Sequence, residues 1–241
     1  MLMLQGKKAI IFDLDGTLID SVGIWNQVDE ALIDRIRSED APLAEQVQLQ
    51  RDEALRRFSK AASPYLEYCA FLKEKYKAVQ SPEEIHDLRY RIAQEFLENE
   101  IDYKPDADAL IRWLTEKGYI LTIATTTRRN NVNVYRTRNE KIRKKADLDT
   151  YFRLVYTRED AKEIKPNPEI YLRVMEELGV TAEECLVFED SLIGIEAAKN
   201  AGIESVAVYD PYSDAEREQI NALADYQVQN YTELLRELNG N

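Results

Sequence analysis

Lys7-Lys8-Ala9-Ile10-Ile11-Phe12-Asp13-Leu14-Asp15-Gly16-Thr17-Leu18 is the stretch on which the reading of this chain turns. Ala9 to Phe12 is a short apolar run of the kind found in strands buried on both faces. It stops at two carboxylates one residue apart, followed by a glycine that frees the backbone to turn. Strand alternation would aim Asp13 and Asp15 to one side, but Gly16 places the end of the strand close by. Two like charges at the end of a buried strand are costly unless a cation or a proton offsets them. An Asp-rich turn is the ordinary alternative. The chemistry on offer is richer: acidic oxygens suit Mg²⁺, one carboxylate can attack phosphorus, and the other can move protons.

Downstream the pattern turns helical. Asp20 or Ser21 can cap a helix carrying Trp25, Val28, Leu32 and Ile36 at helical spacing. Residues 43–59 predict a second helix with Leu43, Val47, Leu55 and Phe58 inward. A third starts near Pro64, with Tyr65, Tyr68 or Cys69, Leu72 and Tyr76 on one face. Ser81-Pro82-Glu83-Glu84 has the composition of a helix start with a capping box. Residues 19–102 therefore read as an all-α unit without strands.

Beyond Lys104-Pro105 strands and helices alternate. Strands are expected at 119–124, 153–157, 186–188 and 205–208, and helices at 106–117, 168–178 and 192–200. Gly118, Gly179 and Gly202 stand at the helix ends. That alternation predicts a doubly wound parallel sheet, a Rossmann-like α/β core formed by residues 1–18 and 103–241, with the helical unit inserted into it. In such sheets ligands bind beyond the strand C-termini. The polar candidates fall at those ends: Asp13 and Asp15, then Thr125-Thr126-Thr127, then Glu189-Asp190, with Lys165 of Lys165-Pro166-Asn167-Pro168 ahead of a helix. A threonine turn, a surface lysine or an acidic cap is ordinary singly; four such sites in register are not.

Composition narrows the possibilities. With 241 residues, 44% hydrophobic and 32% charged, the chain can bury a sizeable core and is expected to be soluble and cytoplasmic, with no membrane segment. The net charge of −13 argues against general nucleic-acid binding. Residues 128–145 are locally basic at +7, leaving −20 elsewhere, and are expected to form a solvated surface insertion. The single histidine, His86, removes most histidine-based metal and hydrolase schemes. Cys69 and Cys185 lack any metal or redox spacing and are expected as buried thiols. No glycine pattern for a dinucleotide, a P-loop or a nucleophile elbow is present.

Taken in order, these motifs resemble the haloacid dehalogenase superfamily. Asp-Leu-Asp-Gly-Thr resembles its first motif, Thr125 its second, Lys165 in a Lys-Pro-x-Pro setting its third, and Glu189-Asp190 its fourth. Phe188 through Gly202 is similar to the β-phosphoglucomutase-like branch, whose helical cap corresponds to residues 19–102. The resemblance implies a nucleophilic Asp13, a general acid/base Asp15, phosphoryl contacts from Thr125 and Lys165, and Mg²⁺ held by Asp13, Asp190, Glu189 and the main-chain carbonyl of Asp15. It implies a phosphatase acting on a small phosphorylated metabolite through an aspartyl-phosphate. Phosphotransfer or phosphomutation by the same family, and a non-catalytic regulatory module, are the alternatives. Dehalogenases of the family lack the second aspartate. The mutase branch has a cap His where Trp25 stands here. Phosphonoacetaldehyde hydrolases need a cap lysine, for which residues 19–59 offer none and Lys60 is the only nearby candidate. Oligomeric state is not legible.

Overall fold

The computed structural model describes residues 2–58 and 61–240. Two compact units emerge, one made of residues up to Val22 and from Ile101 on, the other of Gly23–Glu100. The chain begins with β1 (Ala9–Phe12) and then enters the helical unit: α1 (Ile24–Ile36), α2 (Val47–Arg57), α3 (Pro64–Tyr76) and α4 (Pro82–Asn99). It returns through α5 (Ala107–Glu116), β2 (Ile120–Ala124), α6 (Arg129–Thr137), α7 (Glu140–Ala146), α8 (Leu148–Tyr151) and β3 (Leu154–Tyr156). The remainder is α9 (Glu169–Leu178), β4 (Cys185–Glu189), α10 (Leu192–Asn200), β5 (Glu204–Val208), α11 (Arg217–Leu223), β6 (Tyr226–Val228) and α12 (Tyr231–Leu238).

Among the described residues six strands form one parallel sheet in the order β3-β2-β1-β4-β5-β6. All four residues of β1 are buried, as a central strand covered on both faces requires. Ala9 and Ile11 pack with Ile170, Tyr171 and Val174 of α9 and with Ala197 and Ala198 of α10. Phe12, one step out of phase, meets Phe188 at 4.9 Å and Phe152 at 6.3 Å between ring centroids. The strand order reverses at β1: the chain builds outward to β3, then crosses to β4 on the other side. Such a switch point opens a crevice beyond the strand C-termini.

In the helical unit, Val28, Leu32, Ile33, Tyr68, Leu72, Tyr76, Ile85 and Ile92 form the core. The capping box at α4 is present: Ser81 Oγ accepts from Glu84 N at 3.1 Å, and the Glu84 carboxylate accepts from Ser81 N at 2.7 Å. Three expectations need correction. Neither Asp20 nor Ser21 caps the first helix, which starts at Ile24 after Gly23: Asp20 N bonds to Asp102 O at 3.1 Å and Ser21 Oγ donates to Asp15. Leu43 is 61% exposed, because α2 starts only at Val47 and leaves it in a connecting segment. Tyr65 is exposed as well, its ring lying 5.3 Å from the Arg89 guanidinium instead of in the core. The unit also hides an ionic cluster in which Asp29, fully buried, accepts from Arg51 and Arg89 at 2.7 Å each. Lys60 lies outside the described residues.

Residues 128–145 are more than a surface insertion. They form α6 and α7, which bury Val132, Val134, Tyr135, Ile142 and Ala146. Their charges find acidic neighbours, Arg129 on Asp160, Arg136 on Asp149 and Lys145 on Asp102. Cys69 and Cys185 are buried free thiols. No helix among the described residues is long and apolar enough to cross a membrane.

Candidate active site

β1 ends at Phe12, and the next residue is locked to its neighbour strand: Asp13 N donates to Phe188 O at 2.9 Å. Extending the register puts Asp13 level with Ala124 of β2 and Glu189 of β4. The sheet thus delivers Asp13, Thr125 and Glu189-Asp190 to one edge. After Asp13 the chain turns at once, Ile19 N and Leu18 N both bonding to Leu14 O. Gly16 has φ +89°, a left-handed conformation, and a side chain there would overlap the Asp190 carboxylate. Gly194 is under the same kind of constraint, since a Cβ at that position would overlap the Glu189 carboxylate.

Three carboxylates converge. Oxygens of Asp13, Glu189 and Asp190 all lie within 4.8 Å of one another, and all three residues are buried. Lys165 is the cation set against them. Its Nζ lies 2.7 Å from Asp13 Oδ1 and 2.6 Å from Glu189 Oε1, over the Tyr171 ring at 5.1 Å from the centroid. Burial alone would lower the Lys165 pKa, but the charges of Asp13 and Glu189 outweigh it and hold the ammonium well above its ordinary value. Burial, opposed by Lys165 and helped by Glu189, pushes the Asp13 carboxyl up to about 7. Asp190 is raised well above the ordinary range by burial and by the Glu189 and Asp13 charges. One lysine does not neutralise three buried carboxylates.

The donor set fits a hard divalent cation, since it consists of carboxylate oxygens carrying excess negative charge. Within it the three acids differ. Glu189 Oε2 accepts from Asp190 N, Ser191 N and Ser191 Oγ at 2.9–3.0 Å, while Oε1 takes Lys165. Its four donors make it the anchor of the loop and of the lysine. Asp190 accepts from Thr17 Oγ1 at 2.7 Å. Thr125 is buried directly after β2, its Oγ1 accepting from Thr127 N at 3.1 Å.

Asp15 stands apart from the acidic trio. It accepts from three hydroxyls, Ser21 and Tyr135 on Oδ1 and Thr127 on Oδ2, with the Tyr135 bond at 3.0 Å. The sequence reading singles out Thr127 and Ser21 only as a turn residue and a cap. Tyr135 escapes it altogether, because a tyrosine inside a basic run carries no signal of its long-range partner.

Comparison with known proteins follows the same pattern. The model of the haloacid dehalogenase-like hydrolases matches residues 7–202. A phosphorylated carbohydrates phosphatase of Thermotoga maritima is 31% identical over 203 residues, 83% of this chain and 83% of that protein. Hexitol phosphatase B of Escherichia coli K12 is 26% identical over 94% of this chain and 93% of its own. Among solved structures, a Thermotoga maritima protein provisionally described as a beta-phosphoglucomutase superposes with a TM-score of 0.75 at 28% identity, covering 97% of this chain and 99% of that one.

Proposed function

The chain belongs to the haloacid dehalogenase-like hydrolases, and from that premise we propose that it hydrolyses phosphate monoesters of small metabolites through an aspartyl-phosphate on Asp13. Phosphorylated carbohydrates are the first substrate class to test, given what the relatives are named for. The observation that carries the reading is the buried trio Asp13, Glu189 and Asp190 with Lys165 bonded between two of its members. We assign the chemistry to the α/β unit and the choice of substrate to the helical unit.

In the first step an Asp13 oxygen attacks phosphorus while the bond to the ester oxygen breaks. Asp15 gives that leaving oxygen a proton, releasing the alcohol. In the second, Asp15 as a carboxylate takes a proton from water, whose oxygen attacks the same phosphorus and frees Asp13. The sum is ester plus water giving alcohol plus phosphate. Lys165 and the Thr125 hydroxyl supply positive charge and a hydrogen bond to the phosphoryl oxygens, whose charge peaks in the transition state. Asp13, Asp190 and the Asp15 carbonyl would hold Mg²⁺, with Glu189 bracing Lys165 and the loop beside it. A bound Mg²⁺ neutralises phosphoryl charge. Phosphomutation is the weaker reading, because Trp25 offers no titratable group and its ring instead packs 5.5 Å from the Arg89 guanidinium.

Phosphate release from a panel of sugar, nucleotide and small-acid phosphates tests this reading. Release is expected to need Mg²⁺ and to stop in excess chelator. With Asp13 raised to about 7, protons compete with the cation below that pH. The Mg²⁺ concentration giving half-maximal rate should climb by up to about tenfold per pH unit between pH 7 and 5. Turnover that survives the chelator would overturn the metal assignment.

A further inference from the structure

The geometry points to Tyr135 as a positioning residue for Asp15, a role that rests on Asp15 being the general acid/base proposed above. Tyr135 lies on α6, 120 residues further along the chain, is 1% exposed, and places its Oη 3.0 Å from Asp15 Oδ1. The phenol donates and the carboxylate accepts. The other two donors, Ser21 and Thr127, are short side chains in the segments that follow β1 and β2. A buried aromatic ring on a helix is a stiffer support, since its hydroxyl moves only when the ring does. Ser21 and Tyr135 together fill both lone pairs of Oδ1. Oδ2, with Thr127 as its donor, is therefore the oxygen that exchanges a proton with the leaving group and with water. Tyr135 would thus decide which Asp15 oxygen works and where it stands, without touching the substrate.

The test compares Tyr135→Phe, Asp15→Asn and the double variant on two probes. One is p-nitrophenyl phosphate, whose leaving group barely needs a proton. The other is the alkyl phosphate that the wild type turns over fastest in the panel. Tyr135→Phe keeps the ring and should melt within a few degrees of wild type. Its kcat/KM should fall about ten- to a hundredfold on the alkyl phosphate with KM little changed, and about threefold or less on the aryl phosphate, where kcat and KM should fall together. On the aryl probe it should show a burst of p-nitrophenolate ahead of a slower steady state, because the water step still needs Asp15. In the Asp15→Asn background, adding Tyr135→Phe should cost no more than about twofold, since the residue acts through Asp15. Equal losses on both probes, no loss, or full additivity in the double variant would overturn the positioning role. If Asp15→Asn itself fails to separate the two probes, or no alkyl phosphate is turned over, the acid/base reading falls, and the role of Tyr135 with it.

Discussion

Asp13→Asn should lower kcat/KM on any phosphate ester by at least about four powers of ten, because the amide cannot attack phosphorus and nothing else on that strand end replaces it. The fold should not suffer. The amide keeps an oxygen that can accept from Lys165, and it removes one charge from a site that already holds three buried carboxylates. A carboxyl raised to about 7 binds a proton in the folded protein that it releases in the unfolded chain. In chelator the Asp13 carboxylate therefore costs stability as the pH rises toward 7. The variant should escape that cost and melt at or above the wild-type temperature at pH 8. Residual turnover above about 1% with Mg²⁺ present would place the nucleophile elsewhere.

Lys165→Met should do harm in both respects. Its ammonium is the cation bonded to Asp13 and Glu189, and the pairs are almost wholly out of water. Breaking a buried pair by removing one partner typically costs about 3–5 kcal/mol, because the remaining charge has no compensation. Without Lys165, Asp13 loses the cation that held its carboxyl down against burial, so protons bind more readily in the folded state than in the unfolded one. The loss should therefore be largest at pH 8 and shrink toward pH 5, when denaturant unfolding is followed in chelator. Turnover should drop by roughly two to three powers of ten, as for removal of one preorganised electrostatic contact. A pH-independent loss of stability would show that packing, not charge, is what Lys165 supplies.

How much of this is legible without coordinates depends on how local the physics is. The central strands announce themselves, because a strand covered on both faces must be a short, continuous apolar run, and Ala9–Phe12 and residues 185–188, the strand's apolar part before Glu189, are just that. The polar residues after them are readable for the same reason, since a sheet brings its strand ends together. β6 and the last two helices are not legible in the sequence: a three-residue edge strand with one exposed and one half-buried position leaves no periodic trace. α6 and α7 are hidden by their own charge, which the pairs with Asp160, Asp149 and Asp102 offset in the folded protein. The Asp29 cluster and the Tyr135 contact depend on residues up to 120 positions apart, as in Tyr135 and Asp15. A single sequence shows neither partner pointing at the other.

The most direct test of the central claim is to find where the phosphoryl group goes. Asp15→Asn should still take phosphate from p-nitrophenyl phosphate but lose the base that activates water, so an intermediate should accumulate. Acid-quenching that reaction within the burst, followed by borohydride reduction and peptide mass spectrometry, is predicted to convert Asp13 to homoserine, with more label than in the wild type and none in Asp13→Asn. Label on any other residue, or turnover with no label on Asp13 under conditions where the burst is seen, would contradict the mechanism.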